Sequence, residues 1–160
     1  MDRKAVAKVL ETPIAQELMA SHFVCRLGYM GPDGYPRVVP IGYILKGEQF
    51  IVCTSANAPK VKALTSNPRV AFTVDTETQP PRILLVRGTA RIEVVDGVPP
   101  EYLEASFRYV PREQWSEFET QVRALYKQMA RISIIPEWAK LIDFETTLPS
   151  AIEQLMAGRA

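Results

Sequence analysis

Histidine and cysteine are scarce in this 160-residue chain, which has one histidine, His22, and two cysteines, Cys25 and Cys53. A single imidazole excludes zinc sites built on two or more histidines. A Ser-His-Asp arrangement would have only His22 to draw on. The cysteines lie in the apolar stretches FVCRL and FIVCT, where a free thiol packs as a small hydrophobe, so both read as buried thiols rather than a disulfide. An excess of one charge sign is missing as well: 19 Lys and Arg against 18 Asp and Glu give a net charge of +1. That balance argues against a surface that wraps nucleic acid, though it leaves room for a local basic pocket. No apolar run approaches the roughly 20 residues of a membrane span, and the opening MDRKAVAKVLE carries charges where a secretory signal needs an apolar block. The expectation is a cytoplasmic protein with neither a membrane nor a nucleic-acid partner. These shortages leave little chemistry to the side chains and point to a borrowed reactive group.

What is present is an ordinary globular mixture, 47% hydrophobic and 23% charged, long enough for one domain, read as residues 1–160. Val6, Val9 and Leu10, then Ile14, Leu18 and Met19, recur at helical spacing, and Thr12-Pro13 divides them into two short helices. From His22 the period shortens. HFVCRLGYM, YPRVVPIGYIL and QFIVCTS read as strands joined at Gly31-Pro32-Asp33-Gly34 and Lys46-Gly47-Glu48, the pattern of an antiparallel meander. A short helix follows over residues 59–64, ended by Asn67-Pro68. RVAFTVD and RILLVRGTARIEVV are two further strands. A helical insertion is expected at about 101–130, with Trp115, Phe118, Val122, Leu125 and Met129 on one stripe. RISII and WAKLIDF return as strands, and a last helix over residues 151–156 ends at Gly158. The fold class is α+β, mainly β: a six- to seven-stranded antiparallel barrel with peripheral helices. Parallel βαβ units and GxGxxG are absent, which weighs against a dinucleotide-binding fold.

Two segments carry candidate chemistry. In TSANAPKVKALTSNP a strand runs into a helix start, placing the Thr54 and Ser55 hydroxyls beside free backbone N–H groups that attract anions. Lys60 and Lys62, two positions apart on a helix, cannot both point the same way, and Lys60, nearer the helix start, is the better phosphate ligand. The same pattern also fits a surface helix with solvated lysines. In RVVPIGY, Pro40 interrupts an otherwise good strand and cannot donate to a ladder, so it marks an edge, a bulge, or backbone facing something other than a strand. A planar heterocycle against Val38 to Ile41, with Arg37 reaching a phosphate, is one such case, and an ordinary edge strand is the other. His22 reads as structural. Asp75, Glu77 and Asp96 read as solvated charges near turns, leaving no acid/base pair.

In order, these segments resemble the pyridoxamine 5′-phosphate oxidase-like flavin-binding split barrels: an Arg-x-x-Pro strand, a hairpin, a strand ending Thr-Ser, KVKALTSNPRV, then a strand with Gly88 before Thr89-Ala90. The resemblance implies that Arg37 and the backbone of Val38, Val39, Pro40 and Ile41 hold a flavin ring and phosphate. It implies that Cys53 and Thr54 are the strand-end pair with Ser55 beside them, that Lys60 binds the phosphate, and that Lys62 is a further basic position. Trp138 lies near where some relatives place an aromatic residue against the ring. It further implies a homodimer with cofactor sites between subunits, FMN as cofactor, and hydride transfer to or from a small organic substrate. The deazaflavin coenzyme F-420 is the alternative cofactor. A non-catalytic module binding flavin or haem, with His22 as lone axial candidate, is the alternative from another class. The chain departs from pyridoxamine phosphate oxidases proper, with Pro59 where they carry an arginine and Ile83 where they carry a ring-contacting glutamine. It also lacks their C-terminal Arg- and His-bearing segment, so oxidation of vitamin B6 is not the expected reaction.

Overall fold

The structure, a computed structural model, describes residues 1–158. Two short helices, α1 (Arg3–Leu10) and α2 (Pro13–Ser21), open the chain. Each begins at a side-chain cap: Asp2 accepts from the Ala5 N–H at 2.7 Å, and the Thr12 hydroxyl accepts from Ala15 at 3.4 Å, satisfying donors a helix start leaves open. Val6, Leu10, Ala15 and Leu18 turn inward to the core.

The described residues then form seven antiparallel strands in one sheet: β1 (Val24–Met30), β2 (Pro36–Gly42), β3 (Ile44–Lys46), β4 (Gln49–Ser55), β5 (Arg69–Asp75), β6 (Ile83–Asp96) and β7 (Gln128–Ile142). A helix, α3 (Pro59–Ser66), links β4 to β5. The spatial order is β2-β1-β5-β6-β7-β4-β3, so a simple meander describes only the local hairpins. The two outermost strands, β2 and β3, are consecutive in sequence with Tyr43 alone between them. Two residues of extended chain span about 7 Å, so the sheet must curl until its edges meet there. This is the expected barrel, reached differently from the expectation of one unbroken strand over YPRVVPIGYIL. The break at Tyr43 lets the first half pair with β1 and the second with β4. Tyr43 is 1% exposed. Its hydroxyl donates to the His22 carbonyl at 2.9 Å, and Arg108 donates to the Tyr43 carbonyl at 2.7 Å, so the buried hydroxyl and carbonyl at the bend are both paired.

RISII and WAKLIDF are likewise one strand, β7, rather than two. Its register against β6 slips once: Gly88 faces Pro136 but Arg87 faces Trp138, leaving Glu137 as the extra residue of a bulge. Glu137 accepts from the Thr89 hydroxyl at 2.7 Å. The bulge changes which residues point inward, from Ile132 and Ile134 before it to Ala139 after it, and Trp138 is turned outward as a result.

The helical insertion is two helices, α4 (Pro100–Ser106) and α5 (Trp115–Leu125), and it ends before residue 128. The expected five-residue stripe is shorter: Met129 belongs to β7, and Leu125 is exposed. Met129 keeps company with Val122 through a second core on the outside of β4, where Ile51 and Cys53 meet Leu103. Phe50 and Val52 face the main core inside the barrel. Burial on both faces explains the continuous apolar run FIVC. Glu101 pins α4 to the sheet, accepting from Lys46 at 3.1 Å and from Arg131 at 3.1 Å. A final helix, α6 (Ser150–Ala157), follows.

Between β7 and α6, Asp143 is buried and accepts from the backbone of Glu145, Thr146 and Thr147 and from the Thr146 hydroxyl. Burial alone would raise its pKa; the hydrogen bonds outweigh burial and hold the carboxyl at about 2. A carboxyl depressed in the folded state stabilises the fold above its unfolded pKa, and that contribution is lost as pH falls from about 4 toward 2. Asp143→Ala is expected to cost roughly 1–3 kcal/mol at neutral pH by leaving buried donors unmet. Urea titrations should show the gap from wild type narrowing between pH 4 and pH 2.

Candidate functional site

Strand β4 carries Thr54 and Ser55 to the edge of the sheet, and the chain turns through Asn57 into α3. The Ser55 hydroxyl donates to Asn57. The helix has Ala58 at its N-cap, with no side-chain cap, and Pro59 in its first turn. Proline suits that position because a first-turn N–H has no helical partner. Lys60 then folds back, its ammonium 3.3 Å from the Thr54 hydroxyl. Desolvation lowers the Lys60 pKa, and among the described residues no carboxylate forms an ion pair with it. A half-buried cation beside a hydroxyl, with no counterion of its own among the described residues, suits a phosphate group. Lys62 is exposed to solvent and stands apart from this cradle.

Strand β2 presents its expected residues on two faces. Val39 and Ile41 pack against the barrel core, whereas Val38, 69% exposed, and Pro40 point outward. Pro40 tolerates its place because β2 pairs only with β1. Arg37 is drawn to the preceding turn, 2.6 Å from the Asp33 carboxylate and donating to the Tyr35 carbonyl at 3.3 Å. It forms no hydrogen bond with Thr54, Ser55 or Lys60. Cys53 turns its side chain into the second core, where burial first and the Glu101 charge second push its thiol up to about 12. Burial likewise pushes Cys25 up to about 12. Both cysteines are free, and neither is a thiolate nucleophile near neutral pH.

Trp138 stands on the outward face, with the Arg87 guanidinium 4.2 Å from its ring centroid. It shares a groove of about 400 Å³ with Val38, floored by Gly28 and Ala71 and flanked by Arg26 and Arg87. Two groups of expected site residues are therefore assembled separately in one chain, Thr54 with Lys60 and Val38 with Trp138. Sequence reasoning passed over Arg26 and Arg87. The alternation in RILLVRG, with Leu84 and Val86 buried, carried the signal that Arg87 faces out. His22 sits at the junction of α2 and β1, with its ring Nδ1 3.3 Å from the Leu18 carbonyl.

A family model described as pyridoxamine 5′-phosphate oxidase matches residues 12–139. No curated protein matches the chain. Among solved structures, a conserved hypothetical protein from Mycobacterium tuberculosis aligns with a TM-score of 0.59 at 20% identity, covering 91% of this chain and 86% of the other. An F-420 reductase aligns with a TM-score of 0.59 at 23% identity, over 78% of this chain and 94% of the other. The heme storage protein from Vibrio cholerae aligns with a TM-score of 0.58 at 18% identity, over 84% and 94%.

Proposed function

The chain belongs to the pyridoxamine 5′-phosphate oxidase family, and from that membership we propose that it is an FMN-dependent oxidoreductase acting on a small organic molecule. The observation that carries this reading is Lys60, a half-buried ammonium with the Thr54 hydroxyl for company and, among the described residues, no carboxylate paired with it. Lys60, Thr54 and Ser55 hold the phosphate, and the ring lies toward the β2 strand. Bound flavin supplies hydride transfer, and the protein contributes binding, orientation and exclusion of water. The cofactor sits between two copies of the chain. The separation of the Lys60 and Trp138 groups within one copy, each on an open surface, supports that arrangement.

Purified protein titrated with FMN and with riboflavin tests the reading. FMN is expected to raise the thermal midpoint, as any ligand of the native state must, and riboflavin, lacking the phosphate, is expected to raise it much less. An unchanged midpoint at saturating FMN overturns the proposal. The deazaflavin coenzyme F-420 is the second reading, favoured by the fold shared with an F-420 reductase. Lys60 serves either phosphate, so competition between the two cofactors decides.

A further inference from the structure

A groove of about 620 Å³ runs between α1 and the β3–β4 hairpin, bounded on its third side by Ile135, Pro136 and Glu137 of β7. None of the residues placed against the cofactor or its phosphate lines it. From α1 it takes Arg3, Val6, Ala7 and Leu10, the spacing that sets side chains on one face of a helix. An eight-residue helix rises about 12 Å, so the groove is elongated, with the length of α1 as its long dimension. Its volume falls within the range of small-molecule sites.

Polar and apolar residues are segregated in its walls. Val6 and Leu10 are buried, and Ala7, Leu45, Ile135 and Pro136 are half-buried, which makes an unbroken apolar floor. Every charged residue of the lining is exposed at the rim, and most of these charges are answered within the protein. Arg3 pairs with Glu48 across the mouth, from helix to hairpin. Lys46 pairs with Glu101 at 3.1 Å, and Glu137 accepts from the Thr89 hydroxyl at 2.7 Å. Glu11, at the C-terminal end of α1, stays in water. Beside it the Gln16 amide donates to the Leu10 carbonyl at 2.7 Å, which satisfies an acceptor that the helix end leaves open. Such a lining asks no charge of its occupant, and a charge carried onto the floor would lose its water with nothing in return. The Arg3–Glu48 pair does not bar entry, because both partners are exposed and an exposed pair costs little to open.

We propose that this groove binds an uncharged, straight-chain aliphatic molecule, its chain laid along α1 over Val6, Leu10, Leu45 and Ile135. The site is separate from the cofactor site, and the proposal stands independently of the flavin reading.

Calorimetric and thermal-shift titration of the full chain with straight-chain alcohols tests it, with adamantanol as the compact cage of the same carbon count as decanol. Decanol is expected to raise the thermal midpoint and to bind roughly tenfold or more tightly than adamantanol. Affinity should climb roughly threefold per methylene from hexanol to decanol, the scale of burying one such group. Decanoate and decylammonium should both bind more weakly than decanol. Ala7→Leu places a larger side chain in the groove at a position that favours helix formers, and it should abolish decanol binding without lowering the midpoint of the free protein. Ala7→Met, with a more flexible chain, should do the same and serves if the leucine variant is poorly folded. Failure of decanol to bind, equal binding of adamantanol or of either charged analogue, or decanol affinity that survives in a folded Ala7 variant overturns the proposal. So does a wild type that binds no alcohol while Ala7→Leu dissociates a dimer in sedimentation, because a second copy would then fill the groove. Decanol affinity is expected to be the same with and without saturating FMN, and mutual displacement would overturn the assignment of a separate site.

Discussion

Lys60→Ala is expected to raise the dissociation constant for FMN roughly tenfold to a hundredfold, the equivalent of about 1.5–3 kcal/mol for one charge-assisted contact to a phosphate. The reasoning starts from what the lysine lacks. Removal from water disfavours an ammonium, and its lowered pKa records that cost. The cost is tolerated in the free protein with only the Thr54 hydroxyl at 3.3 Å, so a phosphate would recover more free energy here than at a solvated lysine. Riboflavin affinity should be little changed by the substitution, which separates loss of a phosphate contact from damage to the fold. Lys60→Arg, which keeps the charge, should recover much of the FMN affinity. An equal loss for FMN and riboflavin would remove Lys60 from the phosphate site.

Gly88→Ala should be the most damaging single methyl in the sheet. A β-carbon at Gly88 would lie 2.2 Å from the Ile135 carbonyl oxygen and 2.9 Å from its carbon. Both are backbone atoms, with no flexible side chain to move aside. The strands must separate or the bulge must rearrange, at a cost of about 1–3 kcal/mol or more. For a chain of this size the thermal midpoint should fall by roughly 2–12 °C. Gly42→Ala is the matched control: its new methyl would first meet the Tyr109 ring at 3.4 Å, an ordinary contact, and its midpoint should hardly move. Loss of the bulge would exchange the faces of β7 beyond Glu137, turning Trp138 inward. A change in tryptophan fluorescence is therefore expected for Gly88→Ala and not for Gly42→Ala. A folded Gly88→Ala variant with wild-type midpoint and fluorescence would contradict the clash.

Strands β4 and β5 were legible to the residue, as QFIVCTS and RVAFTVD, because β-branched and aromatic residues end abruptly at turn formers. The start of α3 was legible in Pro59 for the same reason. The break at Tyr43 was not. A strand that changes partners halfway has the same alternation on both sides, and only the spatial order of β1 and β4 reveals the change. The join of RISII to WAKLIDF was hidden by Pro136, which reads as a strand breaker but sits at a bulge, where proline is admitted. Met129 fell on a helical period with Val122 although it belongs to a strand, since a shared core collects side chains from both kinds of element. At the candidate site, residue types identified the Thr54–Lys60 pair because both are local to one turn. The partners of Arg37 and the outward aim of Trp138 depend on a turn carboxylate and a one-residue slip, which composition and spacing do not encode.

The bend at Tyr43 has a mechanical consequence. Because β2 and β3 are two halves of one length of chain, the pairing of β2 on β1 and of β3 on β4 cannot be adjusted independently. A residue inserted between positions 42 and 44 would reverse the faces of one half relative to the other and open the seam. An insertion in the turn at positions 31–35 would merely lengthen a loop. The seam thus works as a length gauge, and it explains why the tolerance of this small barrel to change belongs at its hairpin tips, while the bend admits substitution but no change in chain length.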